Sequence, residues 1–218
     1  MTQVIEYIKS SKRSLRNIYK GKQHMVELKS ILAKFNSWYS SACDIEKNNI
    51  PGACCLSTTG KDGYPNARFV SLKETTTKGW IITGSIESQK GQEIEANPKA
   101  ALSFWWDTSG RQVRIQGNCT LVSEEQADKY FNQRKPESRL VSSTFNQGSP
   151  IESYDEVEKK FNQALKNIPE EIERPSYWSA LLIQPIRVEF MEFKSNRLHE
   201  RTMYFLEGGT WKKIILQP

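Results

Sequence analysis

The chain has 218 residues, enough for one well-packed domain with or without an extension. Its 37% hydrophobic and 11% aromatic content sets it apart from disordered chains, and no apolar run approaches bilayer length. Lys and Arg outnumber Asp and Glu by 31 to 25, a dispersed excess that suits a small phosphorylated ligand better than nucleic acid. Cys43, Cys54, Cys55 and Cys119 make no CxxC pair, and His24 and His199 are the two histidines, so a protein metal site is not expected. The polar start Met1–Leu15 carries no signal-peptide pattern, which makes a reduced, cytoplasmic protein the expectation.

The first fifty residues read as helix. Leu28, Ile31, Leu32, Phe35, Trp38 and Tyr39 recur at three- and four-residue spacing, while the charged stretch Lys9–Lys22 reads as a solvated arm. From Pro51 the character turns to strand: Ala53–Thr58, a turn at Gly60–Gly63, Asn66–Lys73 and Gly79–Thr83. Ser88–Ala96 predicts a short helix stopped by Asn97-Pro98, and Ala100–Trp106 is strand again. In Arg111–Val122, residues Val113, Ile115, Gly117, Cys119 and Leu121 alternate with polar neighbours, the clearest strand signal in the chain. Ser123 and Gln126 form a capping-box pattern for a helix to about Arg134, and Ser153–Asn167 predicts another. Strands follow at Pro185–Phe193, Met203–Leu206 and Trp211–Leu216. This order, with no βαβ rhythm and no dinucleotide glycine fingerprint, predicts a mainly β, barrel-like α+β domain with peripheral helices.

Four groups of polar residues suggest chemistry. Arg68 and Lys73 bracket a strand, where they fit either a phosphate or a solvated edge. Ser88 and Lys90 open a helix, where free N–H groups favour an anion; Ser88 is also a plain capping candidate. Tyr130 and Arg134 are spaced as neighbours on one helical face, with Ser138 beyond the helix end, giving either a phosphate clamp or a polar face. Arg197, His199 and Arg201 crowd one turn between strands, as ring- or anion-holding groups or as a charged turn.

Taken in order, these segments resemble the pyridoxamine 5′-phosphate oxidase family. The similarity is carried by Arg68-Phe69-Val70-Ser71-Leu72-Lys73, Ser88-Gln89-Lys90-Gly91 with Asn97-Pro98, and Arg111-Gln112-Val113-Arg114. It continues with Tyr130-Phe131, Arg134, Pro136 and Ser138, then Arg197-Leu198-His199-Glu200-Arg201, then the ending Trp211 to Pro218. The resemblance covers about residues 50–218. It implies an FMN-binding split β-barrel, homodimeric with FMN where the subunits meet. Residues 1–48 would form an N-terminal helical extension, and 49–218 the barrel domain with C-terminal dimerisation strands. Arg68, Phe69, Val70, Ser71, Leu72, Lys73, Ile82, Thr83, Gln89, Lys90, Gln112, Gln147, Gly148, Met191 and Arg201 fall at FMN positions. Lys73, Tyr130, Arg134 and Ser138 fall at the substrate phosphate. Arg197, Leu198 and His199 fall over the substrate ring, with Arg197 and His199 as the catalytic pair.

The implied reaction takes a hydride from C4′ of pyridoxamine or pyridoxine 5′-phosphate to flavin N5 and reduces O2 to H2O2; the alcohol gives pyridoxal 5′-phosphate directly, and the amine gives an imine that water hydrolyses to it. Several residues depart from the family pattern: Met191 for Trp, Ile82 for Tyr, Gln89 for Arg, Gly148 for Ser, and Ser179-Ala180 after Trp178 for Gly-Gly. Most departures fall on the flavin side. Two other readings stand beside the oxidase: a related flavin oxidase of phenazine-type biosynthesis, and a non-catalytic protein that binds pyridoxal phosphate or flavin.

Overall fold

The computed structural model describes residues 24–46 and 50–218. The expected arm Lys9–Lys22 lies outside the described residues. Where the sequence predicts unbroken helix, the described chain opens with a short strand, β1 (His24–Val26), followed by helix α1 (Leu28–Ile45). β1 forms because it pairs with the last strand, Val26 opposite Trp211, a distant partner that local periodicity does not reveal. The apolar spacing does account for α1: Ile31, Leu32, Phe35 and Ala42 lie on one buried face.

Then come β2 (Ala53–Thr59), β3 (Pro65–Thr76), β4 (Gly79–Ser85), helix α2 (Gln89–Ala96), β5 (Lys99–Trp106) and β6 (Arg111–Leu121). Helices α3 (Glu124–Asn132), α4 (Pro136–Thr144) and α5 (Tyr154–Lys166) lead to β7 (Trp178–Glu192), β8 (Glu200–Glu207) and β9 (Thr210–Leu216). Three expectations need correction. Helix α3 stops at Asn132, short of Arg134, because Pro136 opens a new helix that the sequence did not announce. β7 begins at Trp178 rather than Pro185, since its first half is buried almost throughout and lacks alternation. The alternation of β6 holds from Val113 to Cys119 but fails at Leu121, which is 56% exposed at the strand's end.

All pairings are antiparallel. β7, β4, β3, β2, β5 and β6 follow one another, and β6 returns to β7, closing a six-stranded barrel. The long β7 makes the split. Its Trp178–Ile183 half pairs with β4, and its Arg187–Glu192 half pairs on the same edge with β8, which continues to β9 and β1. Pro185, with no N–H to give, lies at the handover. Opposite it, β6 shifts register between Gln116 and Gly117. A Cβ at Gly117 would lie 2.2 Å from the Gln184 carbonyl oxygen, so the close approach requires glycine.

Phe35 of α1 joins the barrel core edge-on to Trp80 and Phe104, at 5.2 and 5.1 Å between ring centres. Trp106 completes the cluster and donates its Nε1–H to the Pro51 carbonyl at 2.9 Å. A second cluster, built on Phe131, Leu140, Ile172 and Trp178, fastens the α3–α5 segment to the outside of the barrel. Arg174 ties the same region together, pairing with Glu124 and Asp128 and donating to the Trp178 carbonyl at 2.7 Å. Among the described residues, no helix is long and apolar enough to cross a membrane.

Candidate functional site

A cavity of about 500 Å³ opens between β3, β4, α2 and the α3–α4 segment. Arg68, Phe69, Val70 and Ser71 line it from β3, and Thr83, Gly84 and Ser85 from β4. Lys90 enters from α2, Arg134 from the α3–α4 corner, and Gln147 from the loop beyond α4. The volume lies within the range of small-molecule and cofactor sites.

Lys90 is delivered by a tight helix start. A Cβ at Gly91 would meet the Ile86 carbonyl oxygen at 2.0 Å, so only glycine lets α2 press onto the turn after β4. Ser88 precedes α2 but does not cap it with its side chain. Its hydroxyl instead donates to the Ser85 carbonyl at 2.6 Å and accepts from the Lys90 ammonium at 2.8 Å. Lys90 also donates to Gln147 Oε1 at 2.8 Å. It is only 7% exposed and makes no ion pair among the described residues. Burial, with the nearby Arg68 charge, pushes its pKa down to about 8.

Arg68 is held by a buried network. It bonds Glu93 at 2.9 Å and also donates to the Thr58 hydroxyl, which in turn donates to Glu93. Asn66 and Gln89 bond the other Glu93 oxygen at 2.6 and 2.9 Å. Burial opposes ionisation of Glu93, but the bonds from Thr58, Arg68 and Gln89 outweigh it and hold the carboxyl below its ordinary range. This cluster fixes the guanidinium at the cavity wall, and nothing in the sequence pattern announced Glu93. Gln89 belongs to this network and lies outside the cavity lining. Ile82 is buried in the core, which leaves its backbone to meet a ligand, and Leu72 packs partly buried against the same core. Gly148 has a φ of +86°, a conformation that favours glycine.

Tyr130 and Arg134 do not share a helical face. Arg134 lies beyond α3, over the rings of Trp178 and Phe131 at 5.0 and 5.7 Å, and donates to Ser142 Oγ at 2.7 Å. Burial lowers its pKa. Tyr130 donates its hydroxyl to Glu74 at 2.7 Å, and the Lys73 ammonium sits 5.7 Å from its ring centre. Burial, then Glu74, pushes the phenol up to about 12. Ser138 falls in the first turn of α4 rather than in a loop, near free helix N–H groups. Val141, Ser142, Phe145, Tyr177 and Trp178 complete the cavity. Of these, only Trp178 carried a sequence signal, because α4 itself was not anticipated.

The remaining candidates form a second group at the other end of β7. Gln112, Met191 and Arg201 stand in one row across β6, β7 and β8, with Gln112 Nε2 3.9 Å from the Met191 sulfur. Arg201 and Arg114 both pair with the buried Glu189, at 2.7 and 3.2 Å. In the β7–β8 loop, Arg197 holds a φ of +66°, and Asn196 Oδ1 accepts the Leu198 N–H at 3.0 Å. A left-handed arginine costs of order 1 kcal/mol and is retained where the surrounding loop dictates it. His199 packs against Phe193 with ring centres 4.6 Å apart and planes tilted by 45°. Its Nδ1 accepts the Lys194 backbone N–H at 3.1 Å, which leaves Nε2 to carry the proton of the neutral ring. Among the described residues, none beyond Trp178 lines the cavity within one chain.

A family model described as Pyridoxamine 5′-phosphate oxidase matches residues 48–167. Another, described as Pyridoxine 5′-phosphate oxidase C-terminal dimerisation region, matches residues 178–218. A relative from Nostoc punctiforme named pyridoxine/pyridoxamine 5′-phosphate oxidase is 40% identical over 187 residues, spanning 85% of this chain and 87% of the relative. One of the same name from Thermosynechococcus vestitus is 36% identical, spanning 86% and 88%. Among solved structures, PhzG from Burkholderia lata 383, in complex with tetrahydrophenazine-1-carboxylic acid, superposes with a TM-score of 0.81 at 25% identity, covering 86% of this chain and 92% of that one. A pyridoxamine 5′-phosphate oxidase-related, FMN binding protein from Nostoc punctiforme shares the fold, with a TM-score of 0.71 at 18% identity over 84% of this chain and 97% of that one.

Proposed function

The chain belongs to the pyridoxamine 5′-phosphate oxidase family, and from that membership we propose that it is an FMN-dependent oxidase producing pyridoxal 5′-phosphate from pyridoxamine or pyridoxine 5′-phosphate. The observation that carries this reading is the Lys90 ammonium, buried at the cavity wall beside Arg68 and paired with no carboxylate among the described residues. Arg68 shares its charge with Glu93, so the uncompensated charge at this wall is that of Lys90; a confined ammonium favours an anion, and the phosphate of FMN fits it. Arg68, Ser71, Thr83, Lys90 and Gln147 would hold FMN, with Phe69 and Val70 against its ring system. FMN bound there would supply the redox chemistry, two-electron oxidation at C4′ of the substrate with O2 as the final acceptor.

The protein's own work is to bind and orient. Arg134, Lys73, Tyr130 and Ser138 would grip the substrate phosphate and fix C4′ at the flavin face. Arg197 and His199 would lie over the pyridine ring, where the Nε2–H tautomer of His199 provides a donor to an oxygen or nitrogen of the substrate. The match of residues 178–218 to a dimerisation region supports a homodimer. In it, the Gln112–Met191–Arg201 row and the Arg197–His199 loop of one protomer would close the cavity of its partner.

The test is anaerobic mixing of the FMN-loaded protein with pyridoxine 5′-phosphate. Bleaching of the oxidised flavin band within turnover time is expected; protein that holds FMN yet does not bleach would overturn the oxidase reading. A second reading has a structural basis in the likeness to PhzG: a flavin oxidase acting on a tricyclic acid. The retained Tyr130, Arg134 and Ser138 favour a phosphate ester, since a tricyclic acid has no phosphate for them to grip. Bleaching by tetrahydrophenazine-1-carboxylic acid in place of pyridoxine 5′-phosphate would reverse that preference.

A further inference from the structure

Two consecutive residues of β3 reach the same tyrosine. In a regular strand Lys73 and Glu74 would point to opposite faces. Here the register with β4 shifts between Leu72 and Glu74, and such a bulge lets neighbouring side chains lean the same way. The Lys73 ammonium lies 5.7 Å from the Tyr130 ring centre, and the Glu74 carboxylate accepts the Tyr130 hydroxyl at 2.7 Å. Tyr130 is buried to 5% exposure, whereas Glu74 is exposed and its side chain has room to swing outward.

A phenol has one proton to donate. While Glu74 accepts it, Tyr130 cannot donate to a phosphate, and the carboxylate also opposes the charge of Lys73. We propose that Glu74 is a positioning residue that sets the affinity of the substrate phosphate subsite: an internal anion that occupies the Tyr130 donor and that a phosphate ester must displace. This rests on the reading that Tyr130 and Lys73 belong to that subsite. Glu74 acts through Tyr130. Its presence weakens the hold on every phosphate that enters the subsite.

The experiment compares steady-state oxidation of pyridoxine 5′-phosphate by FMN-loaded wild type, Glu74→Ala, Tyr130→Phe and the double variant, with inorganic phosphate as competitive inhibitor. Glu74→Ala is expected to lower both KM and the phosphate inhibition constant about tenfold while kcat moves less than about twofold, the effect of removing one like charge near a dianion and freeing one donor. In the Tyr130→Phe background the same substitution should give a smaller gain, about threefold, because the like charge is still removed but no donor is freed. KM and the inhibition constant unchanged or raised in Glu74→Ala would overturn the proposal, as would a full tenfold gain in the double variant. The underlying reading fails separately: Tyr130→Phe with unchanged KM removes Tyr130 from the subsite. A raised KM in Tyr130→Phe beside an inert Glu74→Ala keeps Tyr130 in the subsite and sinks the role of Glu74 alone.

Discussion

Lys90 concentrates the chemistry of the cavity in one proton. Burial and the neighbouring Arg68 bring its pKa from 10.5 down to about 8. Between those values the unfolded chain binds more protons than the folded one, so this residue's contribution to stability rises as pH climbs from about 8 towards 10.5. Ligand binding runs the other way. A phosphate favours the ammonium, so affinity for FMN should fall as pH rises through and above about 8, although the phosphate itself is dianionic throughout that window. Titrating FMN into apoprotein at a series of pH values should show this loss. Lys90→Met should bind roughly 10–100-fold more weakly at neutral pH and lose the slope, because a charge-assisted bond contributes about 1.5–3 kcal/mol. A variant that keeps the wild-type slope would place the titrating group elsewhere.

At the scale of elements, the site depends on how closely α2 approaches the turn after β4. Gly91 has no room for a methyl group beside the Ile86 carbonyl, and the next residue toward the N-terminus is Lys90. Gly91→Ala should therefore shift the helix start, cost about 1–3 kcal/mol of stability and withdraw the ammonium from the cavity. Thermal unfolding should fall by roughly 2–10 °C, with FMN affinity reduced alongside. An unchanged melting temperature with weakened FMN binding would contradict the steric account. The handover of β7 from β4 to β8 acts over a longer distance. It lets one strand form part of the cavity wall at Trp178 and present Met191 at its far end, on the row with Gln112 and Arg201.

At the scale of the whole molecule, the two groups of candidate residues lie apart within one chain. Among the described residues, the cavity takes Arg134 but none beyond Trp178, whereas Arg197 and His199 belong to the β7–β8 loop. If a two-fold dimer joins the loop of one protomer to the cavity of the other, a mixture of inactive Arg134→Ala and Arg197→Ala proteins, unfolded and refolded together, should regain activity. Each heterodimer would carry one intact site and one doubly altered site, so about a quarter of wild-type turnover is expected from random pairing. Recovery of none, in a mixture shown to contain heterodimers, would put both residues in a site within a single chain.

What the sequence determined by itself was local pattern and residue chemistry. The alternation of Val113 to Cys119 set the inner face of β6, the spacing of Ile31 and Phe35 set the buried face of α1, and the ordered motifs from Arg68 to Arg201 carried the family. Such signals are readable because a side-chain period of two or 3.6 is written in consecutive residues. Tertiary structure decided the rest. The short β1 exists because of β9, α4 because Pro136 restarts a helix over a single buried Leu140, and the early start of β7 because both its faces are covered. Glu93 gathers Thr58, Asn66, Arg68 and Gln89 from three elements, and Glu74 meets Tyr130 across more than fifty residues of chain. Those contacts depend on strand register and on one bulge, which arise from packing between distant segments and leave no periodic trace along the chain.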